Sequence, residues 1–279
     1  MAAKLSHNNI VHAIDVGSAG NIHYFVMEYV EGTTIKAELE GGKVYSEREA
    51  VSIILQIAQA LQHANRRQLI HRDVKPANII LTRDRTAKLA DLGMAREADD
   101  YAMARAERGM TIGTPFYIAP EQIHGREDVD CRADIYSVGA TLYHMVTGQP
   151  PFPGTKVDAV LRAQLEQELT PPDHLNTALS AGLGEVVEFM MAKDRRQRYQ
   201  TPDDLVIDLE CLLNGEPPKL ARQKIRTATL VELAQGETDD ESDSKTPARA
   251  SSLVPSWWAA LLAILLAVSM LVNLVLLNR

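Results

Sequence analysis

His71-Arg72-Asp73-Val74-Lys75-Pro76-Ala77-Asn78 follows a helical pattern and precedes the short apolar run Ile79-Ile80-Leu81. Asp73, Lys75 and Asn78 lie within six positions, so one loop can present a carboxylate, an ammonium and an amide to one small volume. A carboxylate accepts a hydroxyl proton, an ammonium neutralises phosphate charge, and an amide oxygen ligates a hard cation such as Mg2+. A lone His-Arg-Asp triplet is usually no more than solvated loop charge. The weight therefore falls on the whole octet and on what surrounds it.

Upstream, Ser46-x-x-Glu49 has capping-box spacing, and Val51, Ile54, Leu55, Ala58 and Leu61 repeat with helical period. That helix should deliver the chain to the octet. Further back, residues 5–17 read as a helix end, a turn and a strand. Residues 22–30 read as a second strand, with Gly20-Asn21 at the turn. Downstream, 79–81 and 87–90 are short strands around the charged turn Arg83-Asp84-Arg85. Residues 91–121 form a long, polar, poorly periodic segment. Residues 134–148 predict a mostly apolar, buried helix, broken by Pro150-Pro151-Phe152-Pro153-Gly154. Further helices are expected at 156–166, 180–191 and 202–213. The last has Thr201 as N-cap, Pro202 at its first position and Asp203-Asp204 at its positive dipole end.

The chain has 279 residues and 46% apolar content, which suits a packed core rather than disorder. A net charge of -8 argues against nonspecific nucleic-acid binding, because neutralising a phosphate backbone needs a basic surface. Cys131 and Cys211 fit no metal-ligand spacing and read as small hydrophobes in a reducing compartment. The first nine residues lack the basic start and apolar block of a signal peptide. No internal repeat is visible.

Composition shifts after Asn214. Lys219 to Arg226 is basic, Glu237-Thr-Asp-Asp-Glu-Ser-Asp-Ser244 is acidic, and Pro247 and Pro255 bracket small residues. Residues 215–256 therefore predict a disordered linker, a solvated tether rather than a docking motif. Residues 257–277 are an apolar run without charge, in which Ser269 and Asn273 are the notably polar positions. Such a run at helical rise reaches about 30 Å, the hydrocarbon thickness of a bilayer. Trp257 and Trp258 suit the interfacial belt. A transmembrane helix is expected there.

Six motifs now stand in one order: the octet, Asp91-Leu92-Gly93, Gly113-Thr114-Pro115, Ala119-Pro120-Glu121, Asp134-x-Tyr136-Ser137-x-Gly139, and Arg198. Together, from about Leu5 to Leu213, they resemble the eukaryotic-like serine/threonine protein kinases, of the bacterial kind with one membrane span. The resemblance implies an α+β, protein-kinase-like fold. It would have a complete, mainly helical C-lobe, a partial N-lobe sheet and a C-terminal transmembrane helix. The implied layout is a partial kinase domain at 1–214, with N-lobe remnant 1–30 and C-lobe 31–214, then the juxtamembrane linker 215–256 and the span 257–277.

The same resemblance implies an ATP-dependent enzyme that passes the γ-phosphate to Ser/Thr hydroxyls of proteins, with Mg2+. Asp73 would be the catalytic base, Lys75 would neutralise the moving phosphoryl group, and Asn78 and Asp91 would hold the metal. Met27-Glu28-Tyr29-Val30 resembles the hinge that grips adenine, with Met27 behind the base and Ile80 in the apolar floor. Arg72 would pair with a phosphorylated residue of the activation segment, for which Thr111 is the first choice. Tyr101 and Thr111 can equally be plain loop residues. Thr114 would be the structural threonine near Asp73. Glu121 and Arg198 would form a buried ion pair, and Asp134 would brace the catalytic loop.

The pattern also departs from the family. Leu92 replaces the usual Phe at a position that packs rather than reacts. No G-x-G-x-x-G precedes the first strands and no V-A-I-K strand follows. Gly17-x-x-Gly20 is a turn between strands, and Lys4 sits at a helix end. The expectation is an active kinase read from a sequence that lacks its glycine-rich loop and strand lysine. The missing strands should leave an exposed apolar patch. The alternative is a membrane-tethered, non-catalytic, pseudokinase-like scaffold. A sensor with an outer domain is disfavoured, since Asn278 and Arg279 alone follow the apolar run. Charges beside that run are too mixed to set its orientation. ATP and protein substrates are cytosolic, so the kinase domain is expected on the cytoplasmic side. Anchoring should favour self-association and phosphorylation in trans.

Overall fold

Alternating residues and a turn glycine make a hairpin first. β1 (Ala13–Ala19) and β2 (Ile22–Met27) pair antiparallel, with Val16 opposite Phe25 and Gly20 at φ +61° in the turn. The computed structural model describes residues 6–20, 22–91 and 115–223. The chain divides into two units, Met1–Thr229 and Leu230–Arg279, and the described residues belong to the first. Residues 257–277, Thr111 and Thr114 lie outside them, so the expected span and the two threonines carry no structural description. No helix among the described residues is long and apolar enough to cross a membrane.

The second strand ends at Met27 rather than at 30, although Glu28 N–H still bonds across to His12 O at 2.9 Å. Neither face of the hairpin is well covered. Val16 on one face is 65% exposed and Ile22 on the other 70%. A three-stranded antiparallel sheet follows, in order β3 (Gly32–Thr34), β4 (Ile79–Thr82), β5 (Ala87–Leu89). A parallel bridge from Ile10 to Leu89 ties the segment before the hairpin to this sheet. α1 (Ile35–Glu40) leaves β3 directly, capped by the Thr34 side chain on Ala37 N–H.

α2 (Glu47–Asn65) is the helix expected before the octet. Ser46 caps it by accepting Glu49 N–H, but the box is only half made. The Glu49 carboxylate turns to Lys43, 2.9 Å away, and to Arg85. Its apolar side, including Val51, Ile54, Ala58 and Leu61, is buried. After the two strands and the short α3 (Pro120–Ile123) comes α4 (Cys131–Thr147). It begins three residues ahead of the expected 134, capped by Asp130, and Gly148 ends it at φ +75°. Almost every α4 side chain is buried, which is why its pattern is apolar rather than amphipathic.

α5 (Val157–Glu166), α6 (Pro172–Leu175), α7 (Ala181–Met190) and α8 (Pro202–Leu213) complete the helical part. α8 has the expected Thr201 cap, closed reciprocally by Asp204. α2 packs on both α4 and α8, so the octet leaves one central helix and passes over another. The packed part continues past the compositional shift at Asn214. The buried Asp208 carboxylate accepts the N–H groups of Lys219, Leu220 and Ala221 at 2.7–3.0 Å, and Ala221 is fully buried. Residues 215–223 thus belong to the domain rather than to a disordered linker. Three hydrogen bonds to a carboxylate outweigh a polar composition there.

Candidate active site

The octet enters from the end of α2 in a backbone that needs outside support. Arg72 sits at φ +65°, a region that L-residues other than Asn and Asp avoid. Asp134, in the first turn of α4, supplies the support. Its two oxygens accept the N–H groups of His71 and Arg72, each at 2.8 Å. Gln122 adds a third hold by donating from Nε2 to the Arg72 carbonyl at 2.8 Å. His71 is buried, donates from Nε2 to Ala90 O at 2.8 Å and accepts Asp73 N–H on Nδ1 at 3.2 Å.

This frame brings the expected side chains together. Lys75 Nζ lies 2.6 Å from Asp73 Oδ2, and Asn78 Nδ2 donates to the same oxygen at 3.1 Å and to Asp73 O at 2.8 Å. Pro76–Asn78 form a single 3-10 turn that swings the amide back onto Asp73. Because Asn78 donates through its nitrogen, its Oδ1 remains an acceptor. Ala90 then ties the end of β5 to both ends of the octet. It gives its N–H to Asn78 O at 2.8 Å and takes the His71 bond on its carbonyl. Asp91 follows immediately, at φ +61°, and its carboxylate has no hydrogen-bond partner among the described residues. An amide oxygen and a free carboxylate are the hard donors that suit Mg2+.

The hinge residues run from the end of β2 toward β3. Met27 closes β2, and Val30 is half-buried before β3. The Glu28 carboxylate accepts Lys88 Nζ at 2.7 Å and His12 N–H at 3.0 Å, and the Lys88 hydrogen bond pulls its carboxyl below the usual range against a smaller burial effect. Ile80 pairs with Thr34 and Lys88 in the sheet. The Arg72 guanidinium makes no hydrogen bond to a described residue. Arg198 and Glu121 form a fully buried pair, Nη1–Oε1 2.7 Å and Nη2–Oε2 2.9 Å. The carbonyls of Ala192, Arg132 and Lys193 take the remaining guanidinium donors.

The Protein kinase domain family model matches residues 1–206. The chain belongs to that family. Among its relatives, the serine/threonine-protein kinase PknB of Mycobacterium tuberculosis is 38% identical over 222 residues, covering 78% of this chain and 35% of that protein. A probable serine/threonine-protein kinase of Streptomyces coelicolor is 36% identical over 220 residues, 77% of this chain and 32% of the relative. Another from Clostridium perfringens is 38% identical over 208 residues, 75% and 30%. The chain spans about a third of the length of these relatives. It groups with the eukaryotic-like serine/threonine kinases of bacteria, and its α+β kinase fold has the helical lobe and small sheets expected.

Several residues of this kinase domain escape a reading of motifs. Gln122 carries the Arg72 carbonyl, and Gln164 Nε2 donates to the Phe116 carbonyl at 2.6 Å while its Oε1 takes the Tyr136 hydroxyl. His71 is the first residue of the octet, yet its bond to Ala90 crosses the site rather than the loop. For the two glutamines the one visible signal is a polar residue in a helix that must bury that face, which is ambiguous without the partner.

Proposed function

We propose that this chain is a serine/threonine protein kinase that transfers the γ-phosphoryl group of ATP to protein hydroxyls. The observation that carries the reading is the contact of Lys75 Nζ and Asn78 Nδ2 with one Asp73 oxygen, with Asp91 directly after the anchored Ala90. Asp73 orients the substrate hydroxyl and accepts its proton as the oxygen attacks. Lys75 spreads the charge of the moving phosphoryl group, and its place two residues after Asp73 favours Ser and Thr acceptors. Asn78 Oδ1 and the Asp91 carboxylate would hold Mg2+, which when bound draws the phosphate oxygens together and offsets their charge.

Adenine would lie against Met27 and Ile80. With Glu28 N–H already given to His12 O, the Glu28 carbonyl and Val30 N–H are the backbone groups left for its edge. Thr111 would be the phosphorylated residue facing the Arg72 guanidinium, which has no partner among the described residues, and Thr114 the threonine supporting Asp73. Residues 257–277 would anchor the chain in a membrane with the kinase domain on the cytoplasmic side, where copies meet and phosphorylate one another in trans. That anchoring rests on the uncharged apolar run alone, and release by alkaline carbonate would refute it.

The test is Asp73→Asn in the full chain, with transfer of labelled phosphate to a protein substrate and binding of a fluorescent nucleotide measured side by side. Transfer should vanish and nucleotide binding should persist. Retained transfer would remove Asp73 from its role.

A further inference from the structure

A cleft of about 550 Å3 lies between the start of α3, the end of α5 and the loop 193–196. Its wall carries five cations: Arg126, Arg132, Lys193, Arg195 and Arg196. Their acidic neighbours are fewer. Glu121 in the wall is already used by Arg198 beneath it. Asp130 holds Arg132 at 2.7 Å, Asp128 holds Arg195, and Asp194 holds Arg196 at 2.8 Å. Counting Arg198, six cations meet four carboxylates here, in a chain whose net charge is -8.

Two features make this more than a solvated patch. Lys193 has no carboxylate partner among the described residues. Its ammonium gives hydrogen bonds to the carbonyls of Ala163 at 3.2 Å and Gln164 at 2.8 Å and lies 4.0 Å over the Phe152 ring. An ammonium has three donors, so one is left over. Burial, with Arg198 adding to it, pulls the Lys193 pKa down to about 8, and a bound anion would relieve that. Second, Arg126 and Arg196 are exposed and paired only with surface carboxylates, Arg126 at a long 3.7 Å. The long Arg126 pair is weak and yields readily to a dianion, whereas Arg196 already holds both Asp194 oxygens at 2.8–3.2 Å and offers a phosphate its remaining donors. No Phe, Tyr or Trp lines the cleft, which disfavours a nucleotide base. Pro120 and Leu165 offer an apolar wall to a peptide.

We propose that this cleft binds a phosphoserine- or phosphothreonine-bearing peptide segment, its phosphate lodged among Arg126, Arg196 and Lys193. The choice of a phosphopeptide over other anions rests on the kinase reading, since such groups are what the chain would make. Lys193 also holds the carbonyl of Gln164, whose amide holds Phe116, so an occupant touches the support of the segment beside the active site.

The experiment measures binding without ATP, so it does not depend on transfer. A labelled Ala/Gly peptide carrying one phosphothreonine is titrated into the full chain and read by fluorescence anisotropy. The same peptide without phosphate and inorganic phosphate alone serve as competitors. The phosphopeptide should bind saturably. The bare peptide should fail to compete, and inorganic phosphate should compete at least about tenfold more weakly. Arg126→Ala with Arg196→Ala should weaken binding about tenfold or more without changing Tm. Lys193→Gln should weaken it independently. Asp73→Asn should bind as the parent does even though transfer is lost. Equal binding of the bare peptide, or no effect of the arginine variants, overturns the proposal. Inorganic phosphate binding as tightly as the peptide reduces the cleft to a free-anion site and overturns it too.

Discussion

Asp134 Oδ1 accepts the backbone N–H of Arg72 at 2.8 Å, and Arg72 sits at φ +65°. That conformation costs about 1–2 kcal/mol in an L-residue. The second Asp134 oxygen takes His71 N–H, so one carboxylate holds two successive peptide planes ahead of Asp73. Burial pushes the Asp134 carboxyl above its usual range, opposed by His71 and by the two N–H bonds. Asp134→Asn keeps one acceptor and turns an amide donor toward the other N–H. Urea unfolding should show a loss of about 1–3 kcal/mol. Turnover should fall more than the KM for ATP rises, because the strained loop relaxes while the hinge does not. Unchanged kcat would mean that Gln122 suffices to hold the loop.

The buried pair of Arg198 and Glu121 predicts an asymmetry. Arg198→Met leaves the Glu121 carboxylate buried and alone, and should destabilise by about 3–5 kcal/mol. The double change Arg198→Met with Glu121→Met removes both charges. It should recover much of that loss in denaturant unfolding, although the carbonyls of Ala192, Arg132 and Lys193 then lose their donor. A double variant as unstable as the single one would place the cost in those carbonyls instead.

How much was legible depended on distance along the chain. Asp73, Lys75 and Asn78 share one loop, so their meeting followed from spacing. α8 was readable to the residue because Thr201, Pro202 and Asp204 are local signals. The brace from Asp134 was legible only through the family resemblance, and the hold of Gln122 on Arg72 not at all, since it joins residues fifty positions apart. β3 and α1, three and six residues long, are too short for any period to register. Residues 215–223 looked like linker because composition ignores that one buried carboxylate, Asp208, can gather three N–H groups. Val16 and Ile22 are exposed, one on each face of the hairpin.

Glu38 predicts an acid limb. Burial raises its pKa, but bonds from Lys43 at 2.7 Å, Tyr45 at 2.9 Å and Thr33 at 3.0 Å outweigh that and bring it down to about 2. A depressed carboxyl favours the folded state above its unfolded value of 4.5, and that contribution disappears as pH falls through about 2. Melting temperature should therefore decline between pH 5 and 2, and Glu38→Gln should flatten part of that decline while lowering the plateau near neutrality. A parallel curve for the variant would assign the acid limb to other carboxylates, such as Asp130 or Asp194.

Gly139 predicts a steric cost inside the helix that carries Asp134. A Cβ there would stand 2.8 Å from Met190 Cβ and 3.0 Å from Met191 Cγ, at the crossing of α4 on α7. Alanine is the better helix former by about 1 kcal/mol, so an isolated helix would gain from the change. In this fold the contact is with a Cβ rather than with the far end of a flexible chain, so relief requires moving the helices apart. Overpacking of that kind typically costs about 1–3 kcal/mol, which exceeds the propensity gain. Gly139→Ala should lower stability, and combining it with Met190→Gly, which removes the Cβ in the way, should cost less than the sum of the two single changes. Because Asp134 lies five residues earlier on α4, the displaced helix should also loosen the His71 and Arg72 peptides. Their amide exchange should quicken in the single variant and slow again in the double. Additive, independent effects of the two substitutions would show that the glycine is not there to let the helices meet.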